Sequence, residues 1–340
     1  MKKNRVQYID IARGIAIICI IIGHLDNYQI VRVVYTFHVP IFFFITGYFT
    51  SANLPIKKFI KNKVHTLMLP YMYASLALII MNTLKSFVFI GSNAAKDTFL
   101  EWVYAAIYGA GVTIYQPFYI RAIGALWFLW ATFWGSIFLR FLLSVRGERI
   151  RIALVLVLFF AGYWSRNLFW FPFCIQAGFC ATLFLYLGYL VRISREYFQK
   201  VPMEVKAFGT ILALFFWINF INNYQSFALV CCEIGRGMID IFSCICACYI
   251  IILVSQYIEN HISVFSKFFS FCGKNSLLVL CIHNTEHNVL PWWEVSQKLV
   301  NHGMPESFRL YFFIVAKIIL IMVLTVIFAK LQSIKMPNKH

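Results

Sequence analysis

Long, nearly uninterrupted apolar runs constrain this chain more than any other feature. Ten such runs are read across its 340 residues, at 8–26, 33–50, 66–88, 122–143, 151–165, 172–192, 206–222, 228–256, 275–291 and 308–331. A helix needs about 20 mostly apolar residues to cross a bilayer. In hydrocarbon every backbone N–H and C=O must find a partner inside the protein, so these runs are read as helices. A membrane β-barrel would show short alternating segments instead. Composition agrees, with 61% hydrophobic and 13% charged residues, against roughly 45–50% and about 25% in soluble domains. The expected fold is all-α: a polytopic integral membrane protein of about ten transmembrane helices, forming one membrane-embedded domain over 1–340.

The net charge of +17 does not point to nucleic acid, because the basic residues fall in short clusters between apolar runs. Such clustering orients membrane proteins. With the N-terminus placed inside, the inner segments collect Lys2, Lys3, Arg5, Lys57, Lys58, Lys61, Lys63, Arg140, Arg146, Arg149, Arg151, Arg192, Arg195, Lys200, Lys206, Lys267, Lys274, Lys330, Lys335 and Lys339. The outer ones hold only Arg32, Lys85, Lys96, Arg121, Arg166, Lys298 and Arg309. Both termini are expected to be cytoplasmic, in a bacterial inner or plasma membrane. The N-terminus resembles a signal peptide, but Asp10 and Arg13 interrupt the apolar stretch and no small-residue cleavage site follows, so it is read as a retained span. The ten cysteines include no CxxC pair and mostly lie in apolar runs, as reduced packing residues do.

Charge inside a bilayer is costly, so intramembrane ionisable residues are functional candidates. The first run holds Asp10, Arg13 and His24. Asp10 and Arg13 are three apart and can share a helix face. Arg13 and His24 are eleven apart, close to three turns, and would share a face about 16 Å apart. His38, His283 and His287 fall at a depth similar to His24, with Glu286 and Asp26 nearby. An arginine near the cytoplasmic end can hold an anionic group, and a histidine further along can act as general base. Three histidines and a carboxylate could also hold a metal, although no local spacing supports one and none is expected. Glu233, Arg236 and Asp240 stand at helical spacing and read as an interfacial ion cluster. Lys317 either snorkels or pairs with a carboxylate. Trp127 and Trp130 read as packing residues.

Four motifs in order carry a resemblance. They are Tyr8-Ile-Asp-Ile-Ala-Arg13 running to Gly23-His24, Phe37-His38-Val-Pro-Ile-Phe-Phe-Phe-Ile-Thr-Gly47, Gly124-Ala-Leu-Trp127, and Gly273-Lys-Asn-Ser276-Leu running to Ile282-His283. Together they resemble the membrane-bound acyltransferase family 3, in its fucose 4-O-acetylase-like branch. The resemblance implies about ten membrane helices and acetyl-CoA as donor substrate, with no bound cofactor. It implies a sugar, surface polysaccharide or lipid-linked glycan as acceptor. It also implies His24 as the catalytic residue with Arg13 as partner. Many members carry Arg-x-x-Arg before the third-helix proline. Here the segment reads Lys63-Val-His65-Thr66-Leu-Met-Leu-Pro70, with Lys63 in place of the first arginine and Thr66 in place of the second. Donor binding is assigned to Arg13 and Lys63, and a supporting role to Asp10, His38, His283, Glu286 and His287. The competing expectation is a transporter or exporter without acyl-transfer activity, which would show broken helices and repeat symmetry. A third is a metal-dependent membrane hydrolase.

Overall fold

A computed structural model describes residues 6–335. Lys2, Lys3, Arg5 and Lys339 lie outside the described residues, and Lys335 is described in its backbone alone. The chain is helical almost throughout, in the order α1 (Gln7–Gly23), α2 (Tyr28–Val34), α3 (Pro40–Tyr48), α4 (Ile56–Lys63), α5 (Leu69–Phe89), α6 (Ser92–Tyr108), α7 (Trp127–Leu142), α8 (Glu148–Ser165), α9 (Ile175–Ile193), α10 (Arg195–Lys200), α11 (Met203–Asn222), α12 (Met238–His261), α13 (Ser263–Lys274), α14 (Ser276–Val289), α15 (Trp292–Asn301) and α16 (Glu306–Lys335). A two-stranded antiparallel hairpin, β1 (Phe227–Ala228) and β2 (Glu233–Ile234), precedes α12. It is an all-α, multi-pass membrane fold.

Among the described residues, six helical segments are long and apolar enough to cross a membrane: Ile56–Phe89, Gly124–Leu142, Pro172–Ile193, Met203–Asn222, Met238–His261 and Glu306–Leu331. The pair α13 and α14, bent by 76° at Asn275, passes the same test only when taken together, as a broken span or a re-entrant loop. The other expected runs are helical too, but shorter or interrupted. The run at 33–50 is not one helix. α2 stops at Val34 and α3 starts at Pro40, because a proline has no N–H to continue the ladder and suits a first turn. The run at 228–256 begins as the hairpin and turns helical at Met238. Between the runs at 66–88 and 122–143, α6 packs back along α5, and Tyr71 donates to the carbonyl of Ala106 at 2.6 Å. Lys96, Asp97 and Glu101 kept α6 out of the apolar pattern.

The segment that departs from the Arg-x-x-Arg pattern has a local signature. Val64–Met68 form a π-turn between α4 and α5. Pro70 cannot donate to residue 66, and Leu69 N–H bonds Val64 instead. Thr66 turns its hydroxyl back to Asn62 at 2.9 Å.

Two helix crossings are closed by glycine. On α1, a Cβ at Gly14 would overlap the backbone carbonyl of Phe269 on α13, and one at Gly273 would overlap the carbonyl of Asp10. On α3, Gly47 meets the backbone of Leu185 on α9, and Gly188 meets that of Phe44. Small residues let membrane helices approach backbone to backbone, where lipid supplies little hydrophobic drive for association. α1 is thereby seated among α12, α13 and α14. α7 and α9 lie inside the bundle, while α11 and α16 present most of their surface outward. Buried hydroxyls inside these helices bond their own i−4 carbonyls, as at Thr132, Thr182, Ser255 and Thr325.

Candidate active site

α1 ends at His24, the residue after Gly23. The chain then turns through Asp26 in the left-handed region (φ 53°), a conformation that aspartate tolerates better than most residues. Asn27 caps α2, its Oδ1 accepting from Ile30 N–H at 3.1 Å. These two short polar residues stop α1 and leave the His24 ring at its end. The kink at Asn275, inside the Gly273-Lys-Asn-Ser276 motif, aims α14 back toward α1. His283, Glu286 and His287 fall at i, i+3 and i+4 on α14.

The rings of His24 and His283 have centroids 5.0 Å apart, and those of His24 and His287 are 5.5 Å apart. His24 Nδ1 lies 2.7 Å from the carbonyl of Ile20 and 3.3 Å from His283 Nε2. A carbonyl only accepts, so Nδ1 carries the hydrogen and Nε2 keeps a lone pair. His283 Nδ1 is 3.0 Å from Glu286 Oε1, so it too is the N–H, and its Nε2 lone pair shares the one His24 Nδ1 hydrogen with the Ile20 carbonyl, as the longer arm of a three-centre bond. His38 repeats the arrangement, with Nδ1 donating to Val34 at 2.7 Å.

All four histidines line one cavity of about 340 Å³. That is at the small end of the range for ligand sites, roughly 300–1,000 Å³. Tyr35, Trp127 and Phe128 line its walls, together with the segments Gly111–Val112 and Phe227–Val230. Asn284 fastens one side, its Oδ1 accepting from Ala125 N–H at 2.6 Å and its Nδ2 donating to Ile123 at 3.1 Å.

Sequence reasoning placed His24, His38, His283, Glu286 and His287 together; the structure brings the four histidines to this cavity, while Glu286 stands behind His283, outside the lining. It does not bring Asp10, Arg13 or Lys63 into the cavity. Asp10 and Arg13 belong to the opposite end of α1. There Arg13 lies 5.9 Å from the centre of the Phe49 ring and within electrostatic reach of Lys63. Lys317 pairs with Glu286 at 3.3 Å rather than snorkelling. Trp127, read as packing, also lines the cavity, whereas Trp130 packs against Tyr71 and Phe173. Tyr35, Asn284 and Trp292 were missed. Asn284 stood one residue from a recognised histidine on a helix, and that was its only signal. Arg236 and Asp240 form the expected ion pair at 2.6 Å, while Glu233 instead accepts from Ser226. Among the described residues no group of three or more histidine, cysteine, aspartate or glutamate side chains is arranged to hold a metal ion.

A multi-pass membrane bundle with a histidine-lined cavity is the setting for the comparisons with known proteins. Residues 6–330 match the type 3 acyltransferase family model, described as an acyltransferase domain. The chain belongs to that family, and its chemistry is the transfer of an acyl group to a substrate. Over 155 residues it is 30% identical to nodulation protein NolL of Mesorhizobium japonicum (strain LMG 29417 / CECT 9101 / MAFF 303099), covering 41% of this chain and 36% of that protein. The match thus spans little more than a third of that relative's length. No solved structure matches.

Proposed function

We propose that the chain transfers an acyl group, acetyl above all, from acyl-CoA to a sugar hydroxyl at a bacterial inner or plasma membrane. The acceptor is a cell-surface polysaccharide or a lipid-linked glycan. The observation that carries this reading is His24, whose Nε2 keeps its lone pair beside a cavity of about 340 Å³. The same helix bears Arg13 about 16 Å away. His24 Nε2 takes the proton of the acceptor hydroxyl. The oxygen attacks the thioester carbonyl, the C–S bond breaks, and the departing thiolate recovers that proton from His24. His38, whose Nε2 is also a lone pair, accepts from a neighbouring hydroxyl of the sugar and so orients the acceptor. Arg13 and Lys63, two cations within electrostatic reach of each other, create a local positive potential that suits the CoA phosphates. Both chain termini are cytoplasmic, on the basic-residue bias.

The bent pair α13–α14 is the feature a transporter reading would claim, so the test must separate transfer from carriage. Purified protein in nanodiscs is given radiolabelled acetyl-CoA and extracted glycolipid or polysaccharide. Label should reach the glycan, and Arg13→Met and Lys63→Met should each raise the KM for acetyl-CoA about tenfold or more. Absence of acetyl-CoA turnover across several acceptors would overturn the reading in favour of transport.

A further inference from the structure

Glu286 is buried, and its carboxylate accepts from three directions. His283 Nδ1 lies at 3.0 Å from Oε1, Lys317 Nζ at 3.3 and 3.4 Å from the two oxygens, and Trp292 Nε1 donates to Oε2. Lys317, on α16, also sits 4.7 Å from the centre of the Trp292 ring. A buried ion pair is weak evidence for stability, because desolvation offsets much of its Coulomb gain. Within a membrane such a pair is a functional candidate by default. This pair continues directly into the two histidines: Lys317, Glu286, His283, His24.

We propose that Glu286, Lys317 and Trp292 are positioning residues for His24, acting through His283. The inference rests on the reading of His24 as general base. Glu286 fixes the His283 tautomer, which leaves His283 Nε2 as a lone pair that shares the His24 Nδ1 hydrogen with the Ile20 carbonyl. That contact and the Ile20 carbonyl hold His24 with Nε2 toward the acceptor. When His24 is protonated, His283 and Glu286 lie on the far side of its ring to balance the charge. Lys317 and Trp292 hold the carboxylate in place, and Lys317 limits its pull on the proton. The other ionisable groups facing this line are Asp26, His38, His287 and Lys85, whose Nζ bonds the Val289 carbonyl at 3.0 Å.

The test is the pH–rate profile of acetyl transfer by the full chain in nanodiscs. Activity falls at low pH as the base takes up a proton. Glu286→Gln removes the balancing anion and should lower kcat tenfold or more, with the acid limb moving to lower pH. Lys317→Met removes a cation and should move the limb to higher pH. The double variant should return it toward wild type. Trp292→Phe keeps the ring and loses one N–H, and should lower kcat several-fold at unchanged KM; it carries the test if the charge variants do not fold. Folded variants with the limb unmoved, or Trp292→Phe with wild-type kcat, would overturn the positioning role. A His24→Ala control separates the two readings. If it stays active, the general-base assignment itself falls. If it is inactive while the limb stays put, only the positioning role falls.

Discussion

Gly14→Ala adds one carbon at the α1–α13 crossing, and its cost can be worked from the geometry. The new Cβ would sit 2.9 Å from Phe269 Cα and inside contact of the Phe269 carbonyl, where ordinary contact begins at 3.4 Å. Those atoms are backbone, so no rotamer change relieves the overlap and the helices must part by on the order of 1 Å. Overpacking of this kind costs about 1–3 kcal/mol. The same movement strains the His24–His283 contact, because α1 carries His24 and α13 leads into the helix of His283. A misplacement near 1 Å can lower a rate about 10²-fold. Gly209→Ala is the internal control. It lies on α11 with nothing within 4 Å, and alanine favours a helix over glycine by about 1 kcal/mol. Thermal unfolding in detergent and acetyl transfer in nanodiscs read both effects. Gly14→Ala should melt earlier and turn over far more slowly, while Gly209→Ala should melt at or slightly above wild type and match its rate. Wild-type stability and rate in Gly14→Ala would refute the backbone-contact reasoning.

Three further outcomes are expected. Asn284→Leu leaves the Ala125 N–H and Ile123 carbonyl without their partner; unfolding should show a loss of about 2 kcal/mol or more, with kcat reduced as the Gly124–Trp127 wall shifts. Asp240→Asn breaks a pair whose carboxylate is fully buried and also accepts from Arg236 N–H at 2.8 Å, so denaturation should show a loss of about 3 kcal/mol. In the hairpin, burial pushes the Cys231 thiol up to about 11. The thiolate is the reactive form, so maleimide labelling should be slow at pH 8 and rise roughly tenfold per pH unit until near 11, whereas labelling already complete and pH-independent at pH 8 would contradict the burial.

Much of the bundle was legible because lipid-spanning helices need long apolar runs. Each of the ten runs contains helix, whereas the kink at Asn275 was not read, because Gly273-Lys-Asn-Ser276 stood out only by its resemblance. The breaks were harder to read. Pro40 splits the second run, and its signal was outweighed by apolar residues on both sides. α6 carries charge and is held by α5, so periodicity of hydropathy did not show it. The histidines could be grouped by depth along their helices, but the Glu286–Lys317 pair could not, since its members stand 31 residues apart on different helices. Asp10, Arg13 and Lys63 were assigned by motif and position. The structure puts them away from the cavity, with Asp10 and Arg13 at the other end of α1 and Lys63 within electrostatic reach of Arg13.

Transfer of labelled acetyl from acetyl-CoA to an extracted glycan by wild type and by His24→Ala, matched for folded protein by size-exclusion profile, tests the central claim most directly. The expected result is label on the glycan with wild type and a loss of at least a hundredfold with His24→Ala. Transfer that survives the substitution would contradict the placing of the reaction at the histidine cavity.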